Sequence, residues 1–271
     1  MNHRHTAPIG WDHPETARYY EAFCRRHDRY GRANRELVRH AALRPEMRCL
    51  DLAAGTGRTA EAALPKLGPE GRVLCVEPAG AMRAAGRARL KGDARVVWRA
   101  RWPAARGGAA FDRVLSGAGI WQLENVGAIF RRIARLLPPG GAFVFTIPSL
   151  YLGEPDQPGG GTDPLVLALP GRIAGGGLAR RPPAASAFRA DAATIDAWLR
   201  RAGFEPVSWR FRLRLTQRCF RDWLKIPVLT DHLLPHLAPR ERAAAIDRAF
   251  AGTDAASWKW ERWAGWTAWR R

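Results

Sequence analysis

Residues 47–60, Met-Arg-Cys-Leu-Asp-Leu-Ala-Ala-Gly-Thr-Gly-Arg-Thr-Ala, constrain this chain more than any other stretch. An apolar run from Met47 to Leu52 is interrupted by one carboxylate, Asp51, and gives way to the small-residue loop Ala53-Ala54-Gly55-Thr56-Gly57. Helix-compatible residues from Thr59 to Leu64 come next, so the order reads strand, tight turn, helix. Glycines let the backbone approach a ligand closely, and the first N–H groups of a helix are ready donors for an anionic group. About 20 residues later a second apolar strand, Arg72 to Val76, ends on Glu77, where a carboxylate can accept hydrogen bonds from both ribose hydroxyls. These features point to a nucleoside site in the first third of the chain.

Gly55-Thr-Gly-Arg-Thr-Ala60 also fits the dinucleotide pattern G-x-G-x-x-A. Asp51 argues against that assignment, because a pyrophosphate would meet a negative charge whereas the ammonium of an amino-acid tail would meet a partner. Cys49-Leu-Asp-Leu-Ala-Ala-Gly-Thr-Gly57 resembles motif I of the class I S-adenosylmethionine-dependent methyltransferases, usually read D-L-G-C-G-T-G. Ala53 stands where that motif has its first glycine and should reduce the room near the methionine moiety. The resemblance continues through Glu77-Pro78, Phe111-Asp112-Arg-Val-Leu-Ser116 and Leu136-Leu-Pro-Pro-Gly-Gly141-Ala-Phe-Val-Phe145, about residues 45–148.

That resemblance, to the small-molecule type of the family, implies an α/β fold. Its sheet is Rossmann-like, seven-stranded and mostly parallel with an antiparallel C-terminal strand, helices on both faces, and helical and loop lid insertions. It implies S-adenosylmethionine as cofactor, held by Asp51, Ala53, Gly55 and Gly57 of the turn, by Glu77 and Pro78, by Met82 near the adenine, and by Trp102 and Ser116. One departure matters. A G-D-A-type motif after the third strand usually supplies an acid to the adenine amino group, and this chain instead reads Trp98-Arg-Ala-Arg-Trp-Pro103. Trp98 or Trp102 could stack on a purine there.

At 271 residues the chain can form one sizeable α/β domain with insertions. The expected division is an N-terminal arm with lid helices over 1–43, then a methyltransferase domain over 44–271 with insertions near 149–190 and 217–256. A signal segment and an apolar stretch near 18 residues are both missing, so a cytoplasmic protein without a membrane contact is expected. Cys24, Cys49, Cys75 and Cys219 lie far apart with no ligand spacing, so neither a metal nor a disulfide is expected. The net charge of +19 invites a nucleic-acid partner. Only four of the 44 basic residues are lysine, however, and the arginines are scattered as in a GC-rich genome's product. A solvated basic surface is favoured; an anionic small substrate or an acidic carrier protein is compatible with it, and a homodimer is left open.

The remaining chain supplies candidate walls for the site. Helices are expected at 14–26 and 31–43, and in small-molecule methyltransferases such helices fold over the cofactor, which makes Tyr19, Tyr20 and His27 candidates. Tyr20, Phe23 and His27 also fit a simple packing face. A helix over 80–90, a third strand over 94–98 and a fourth over 113–116 follow; Gly117-Ala-Gly119 then leaves space beside Trp121 and bears no likeness to the Asn/Asp/Ser-Pro-Pro-aromatic motif of enzymes that methylate exocyclic amines of bases. Next come a helix near 124–137, a strand over 142–147, an irregular insertion with Tyr151 near its start, a helix over 192–202, and an alternating strand from Val207 to Leu215. Two helices near 218–225 and 239–251 flank Asp231-His232, and Ala264 to Trp269 suits the last strand. The five tryptophans of 258–269 suit either an aromatic cage or anchors for helices on the sheet. Tyr20, Trp121, Tyr151 and His232 are the catalytic candidates. Methyl transfer to a small molecule of secondary metabolism is the favoured reading, ahead of non-methylating cyclisation or intramolecular displacement on the same fold, with nucleic-acid methylation last.

Overall fold

The computed structural model describes residues 9–103, 109–154, 190–231, 234–235, 237–253 and 255–271. Two helices precede the sheet. Helix α1 (Pro14–Arg26) opens with a proline in its first turn, an acidic Glu15 beside it and Arg25 and Arg26 in its last turn, an arrangement matched to the helix dipole. Helix α2 runs Arg29–His40, two residues earlier than its apolar pattern suggests, because Arg29 is fixed by a buried partner on a distant strand.

The sheet has the order β3-β2-β1-β4-β5-β7-β6. Strand β1 (Arg48–Leu52), helix α3 (Arg58–Ala63), strand β2 (Arg72–Val76), helix α4 (Gly80–Leu90) and strand β3 (Val96–Arg99) build one half. The chain then returns to the other side of β1 with β4 (Arg113–Gly117), α5 (Val126–Ala134) and β5 (Ala142–Pro148). All of these strands are parallel. Apart from β3, a half-exposed edge strand, their residues are largely apolar and buried, as strands covered on both faces must be. Helix α6 (Ala192–Arg201) begins at Asp191, whose carboxylate accepts the Thr194 N–H at 2.8 Å. It leads to β6 (Phe204–Thr216), α7 (Gln217–Leu224), the short α8 (Pro227–Thr230), α9 (Pro239–Ala249) and β7 (Trp258–Arg270), which lies antiparallel between β5 and β6.

The last two strands are longer than their alternation predicts, thirteen residues each and paired along their whole length. Pro206 is tolerated because β6 is an edge strand. The C-terminal tryptophans serve as anchors. Trp266 stacks on Phe145 at 5.2 Å and donates its indole N–H to Asp196 of α6 at 2.8 Å, and Trp263 is wholly buried. Along the β6–β7 pair, Arg210, Arg212 and Arg214 lie over Trp266, Trp260 and Trp258 at 5.5, 4.8 and 4.7 Å. Among the described residues no helix is long and apolar enough to cross a membrane, and no cluster could hold a metal ion. All four cysteines are free.

Candidate active site

A cavity of about 640 Å³ opens beyond the carboxyl ends of β1, β2 and β4. This is where the strand order reverses, the place at which open parallel sheets bind ligands. Its floor is the turn after β1. Gly55 and Gly57 adopt φ of +55° and +76°, the left-handed region that glycine enters freely. Ala53 is also left-handed, at φ +53°, and so is Ala118 across the cavity, at +55°. Left-handed alanines carry strain of roughly 1–2 kcal/mol each, and both line the cavity.

The Ala53 side chain has a specific accommodation. A Cβ on Gly119 would sit 2.7 Å from the Ala53 Cβ, so the alanine at 53 is housed by the glycine at 119. Gly119→Ala is therefore expected to destabilise the protein by about 1–3 kcal/mol through overpacking. Ala53→Gly in the same chain should recover most of that loss. A double-mutant cycle by chemical denaturation measures the coupling, and simple additivity would refute it.

Two carboxylates support the turn. Asp51 is fully buried behind it; one oxygen accepts the Ala60 N–H at 3.1 Å, and Oδ1 has no hydrogen-bond partner among the described residues. Burial pushes its pKa up to about 8 against the Ala60 hydrogen bond, with Glu77 nearby adding to the rise. Glu77 accepts the Gly55 N–H and the Ala79 N–H, both at 2.8 Å, so it ties the ends of β1 and β2 together. Burial raises its pKa as well, opposed by those two backbone donors. Pro78 and Met82 line the wall beside it.

Several sequence candidates are placed elsewhere. Asp51 and Gly57 lie behind the loop and not on the cavity wall, and a Cβ on Gly57 would come within 2.9 Å of the Trp98 ring. Ser116 is buried and donates its hydroxyl to the Leu52 carbonyl at 2.9 Å, bracing β4 against β1 away from the cavity. Trp98 packs beneath α4 and against Gly86, whereas Trp102 faces the cavity with the Arg132 guanidinium 4.7 Å from its ring. Neither Tyr19 nor His27 lines the cavity, and His27 pairs with Asp222 of α7 at 2.8 Å. His232 lies outside the described residues, as does most of the 149–190 insertion; its neighbour Asp231 pairs with Arg242 at 2.8 Å.

The structure gathers the aromatic candidates in one half of the cavity. Trp121 and Tyr151 stack at 3.7 Å with 10° between their planes, and Tyr20 faces Tyr30 at 5.4 Å. Tyr30, Asn34, Arg29 and Trp223 are lining residues that the sequence did not single out. Trp223 donates its indole N–H to the Tyr30 hydroxyl at 3.0 Å. The buried Arg29 guanidinium is clamped by both oxygens of Glu261, one at 2.8 Å, and lies against the rings of Tyr30, Trp223 and Trp263. Asn34 accepts from Thr59 at 3.2 Å and fits only because residue 117 is a glycine. Tyr30 and Asn34, four apart, share a face of α2, the signal that could have found them.

The reversal point, the glycine turn and the carboxylate ending β2 together define a Rossmann-like fold of the kind methyltransferases use. Residues 50–145 match the family model described as a methyltransferase domain. A ubiquinone/menaquinone biosynthesis C-methyltransferase of Bordetella parapertussis is 34% identical over 107 residues, 38% of this chain and 42% of that protein. The chain thus spans about two fifths of the length of the curated relatives it matches. Among solved structures it is similar to the YcgJ protein of Bacillus subtilis (TM-score 0.55, 16% identity, covering 89% of this chain and 99% of that one). It is also similar to the [4+2]-cyclase SpnF (TM-score 0.53, 18% identity, covering 88% and 80%).

Proposed function

We propose that this protein transfers a methyl group from S-adenosylmethionine to a small-molecule acceptor, in secondary metabolism. The observation that carries the reading is the two-part cavity, in which the glycine turn, Glu77 and Met82 adjoin a chamber walled by Tyr20, Tyr30, Trp121, Tyr151 and Trp223. The residues present fit the cofactor. The partnerless Oδ1 of Asp51 leaves an unsatisfied carboxyl oxygen behind the turn toward an ammonium group, and Glu77, fixed by two backbone donors, retains lone pairs for ribose hydroxyls. When bound, S-adenosylmethionine would supply the electrophilic methyl group.

The protein's own part is placement and exclusion of water. Gly117, Ala118 and Gly119 leave room beside the turn, and the stacked Trp121–Tyr151 pair would hold a flat acceptor over that gap. Among the described lining residues there is no histidine, and Glu77 is the lone carboxylate. A carbon or an unprotonated amine needs little help from a base and is therefore the favoured nucleophile. Helices α1, α2, α7 and α8 contribute lining residues, which supports assigning the stretches before β1 and after β6 as a lid over one methyltransferase domain. Ala53 and the carboxylate-free segment after β3 favour, as second reading, cyclisation or displacement without methyl transfer.

Calorimetry on stripped protein tests the first step. S-adenosylmethionine and S-adenosylhomocysteine are expected to bind with roughly micromolar affinity. A folded protein that binds neither would sink the methyl-transfer reading and leave the second.

A further inference from the structure

The end of the cavity beyond β3 is built from Ala100, Arg101 and Trp102, with Arg132 stacked on the Trp102 ring. Its charged side chains are two guanidinium groups, which donate hydrogen bonds and cannot accept them; the neutral amide of Gln122 lines the cavity after β4. Between Asp93 and Asp112 the sequence has no carboxylate at all. Both of those bounding residues are committed elsewhere. Asp93 is locked to Arg95 at 2.6 Å at the opposite end of β3, and Asp112 accepts the Arg48 N–H at 2.8 Å at the start of β1. Glu124, after β4, does not line the cavity, and Glu77 stands at the end of β2 holding Gly55 and Ala79. Among the described residues no other side-chain carboxylate lines the cavity to meet a purine lying against Trp102.

We propose that the base end of this site does not select a 6-amino purine and accepts a 6-oxo purine equally well or better. A 6-amino group offers two donors, which Arg101 and Arg132 cannot receive. A 6-oxo purine carries one such donor, its N1–H, in place of two, and at position 6 an acceptor that either guanidinium satisfies; both bases offer a π-face to Trp102. A charged acceptor for the amino group would ordinarily contribute a preference of roughly ten- to a hundredfold, and that preference is what the arginines forgo. The inference rests on the nucleoside-cofactor reading of the cavity.

The test is calorimetric titration of the stripped protein with S-adenosylhomocysteine and with its deaminated analogue S-inosylhomocysteine. The two are expected to bind within about tenfold of one another, or with the 6-oxo form tighter. Ala100→Asp, which restores an acid to the segment, should shift the ratio at least about tenfold toward the 6-amino form. Binding of S-adenosylhomocysteine at least about a hundredfold tighter than its analogue in the unaltered protein would overturn the proposal while leaving the cofactor site standing. Failure of both ligands to bind would instead remove the cofactor reading on which it stands.

Discussion

Glu77→Ala is expected to weaken binding of S-adenosylhomocysteine by at least about a hundredfold, the largest effect of any single change on the cavity wall. Two losses combine. The variant removes the acceptor proposed for the ribose hydroxyls, and it strips the Gly55 and Ala79 N–H groups of the oxygens they reach at 2.8 Å. Those donors belong to the turns after β1 and β2, so the site would lose its shape as well as a contact. Glu77→Gln separates the two effects, since its single amide oxygen can serve only one donor and its NH₂ repels the other. It should bind better than the alanine variant and far worse than the parent. Unchanged affinity in Glu77→Ala, measured by calorimetry on folded protein, would remove Glu77 from the site.

The largest change in stability should come from Glu261→Ala. Glu261 and Arg29 are 6% and 8% exposed, and each is the other's sole ionic partner among the described residues. Removing one leaves an uncompensated charge in an aromatic enclosure, a loss of about 3–5 kcal/mol. Removing both, as Arg29→Met with Glu261→Leu, should restore much of the stability, because apolar groups of similar size avoid the desolvation of the pair. Recovery will be incomplete. Trp263 donates its indole N–H to Glu261 at 2.9 Å and would be left without that acceptor, worth about 1–3 kcal/mol. Midpoints of urea unfolding for the two variants check this; equal loss in single and double would show that the cation–π contacts of Arg29, and not its ion pair, hold this corner.

The parts of the molecule legible in the sequence are those whose signals are local. The strand-turn-helix of 48–63, the carboxylate ending β2 and the parallel strands all announce themselves within ten residues. What the sequence could not show is which distant segments meet. Tyr30 and Trp223 are 193 positions apart and Arg29 and Glu261 are 232 apart, yet these pairs wall or brace one chamber. Trp98 and Trp102 looked equivalent on paper. The strand β3 runs Val96–Arg99, which packs the first ring under α4 and leaves the second, past the strand end, to face the cavity. Ser116 belongs to the site by its place in the motif, but its hydroxyl is spent on the Leu52 carbonyl of the neighbouring strand.

Ala53 and Gly119 carry a consequence for descent. With glycine at 53, position 119 is relieved of its closest obstacle and can accept a methyl group more easily; with Ala53 in place it must stay bare. The order of changes that avoids the clash has glycine at 119 before alanine enters at 53. With Ala53 in place, a side chain at 119 costs stability, so two residues 66 positions apart in the chain constrain one another.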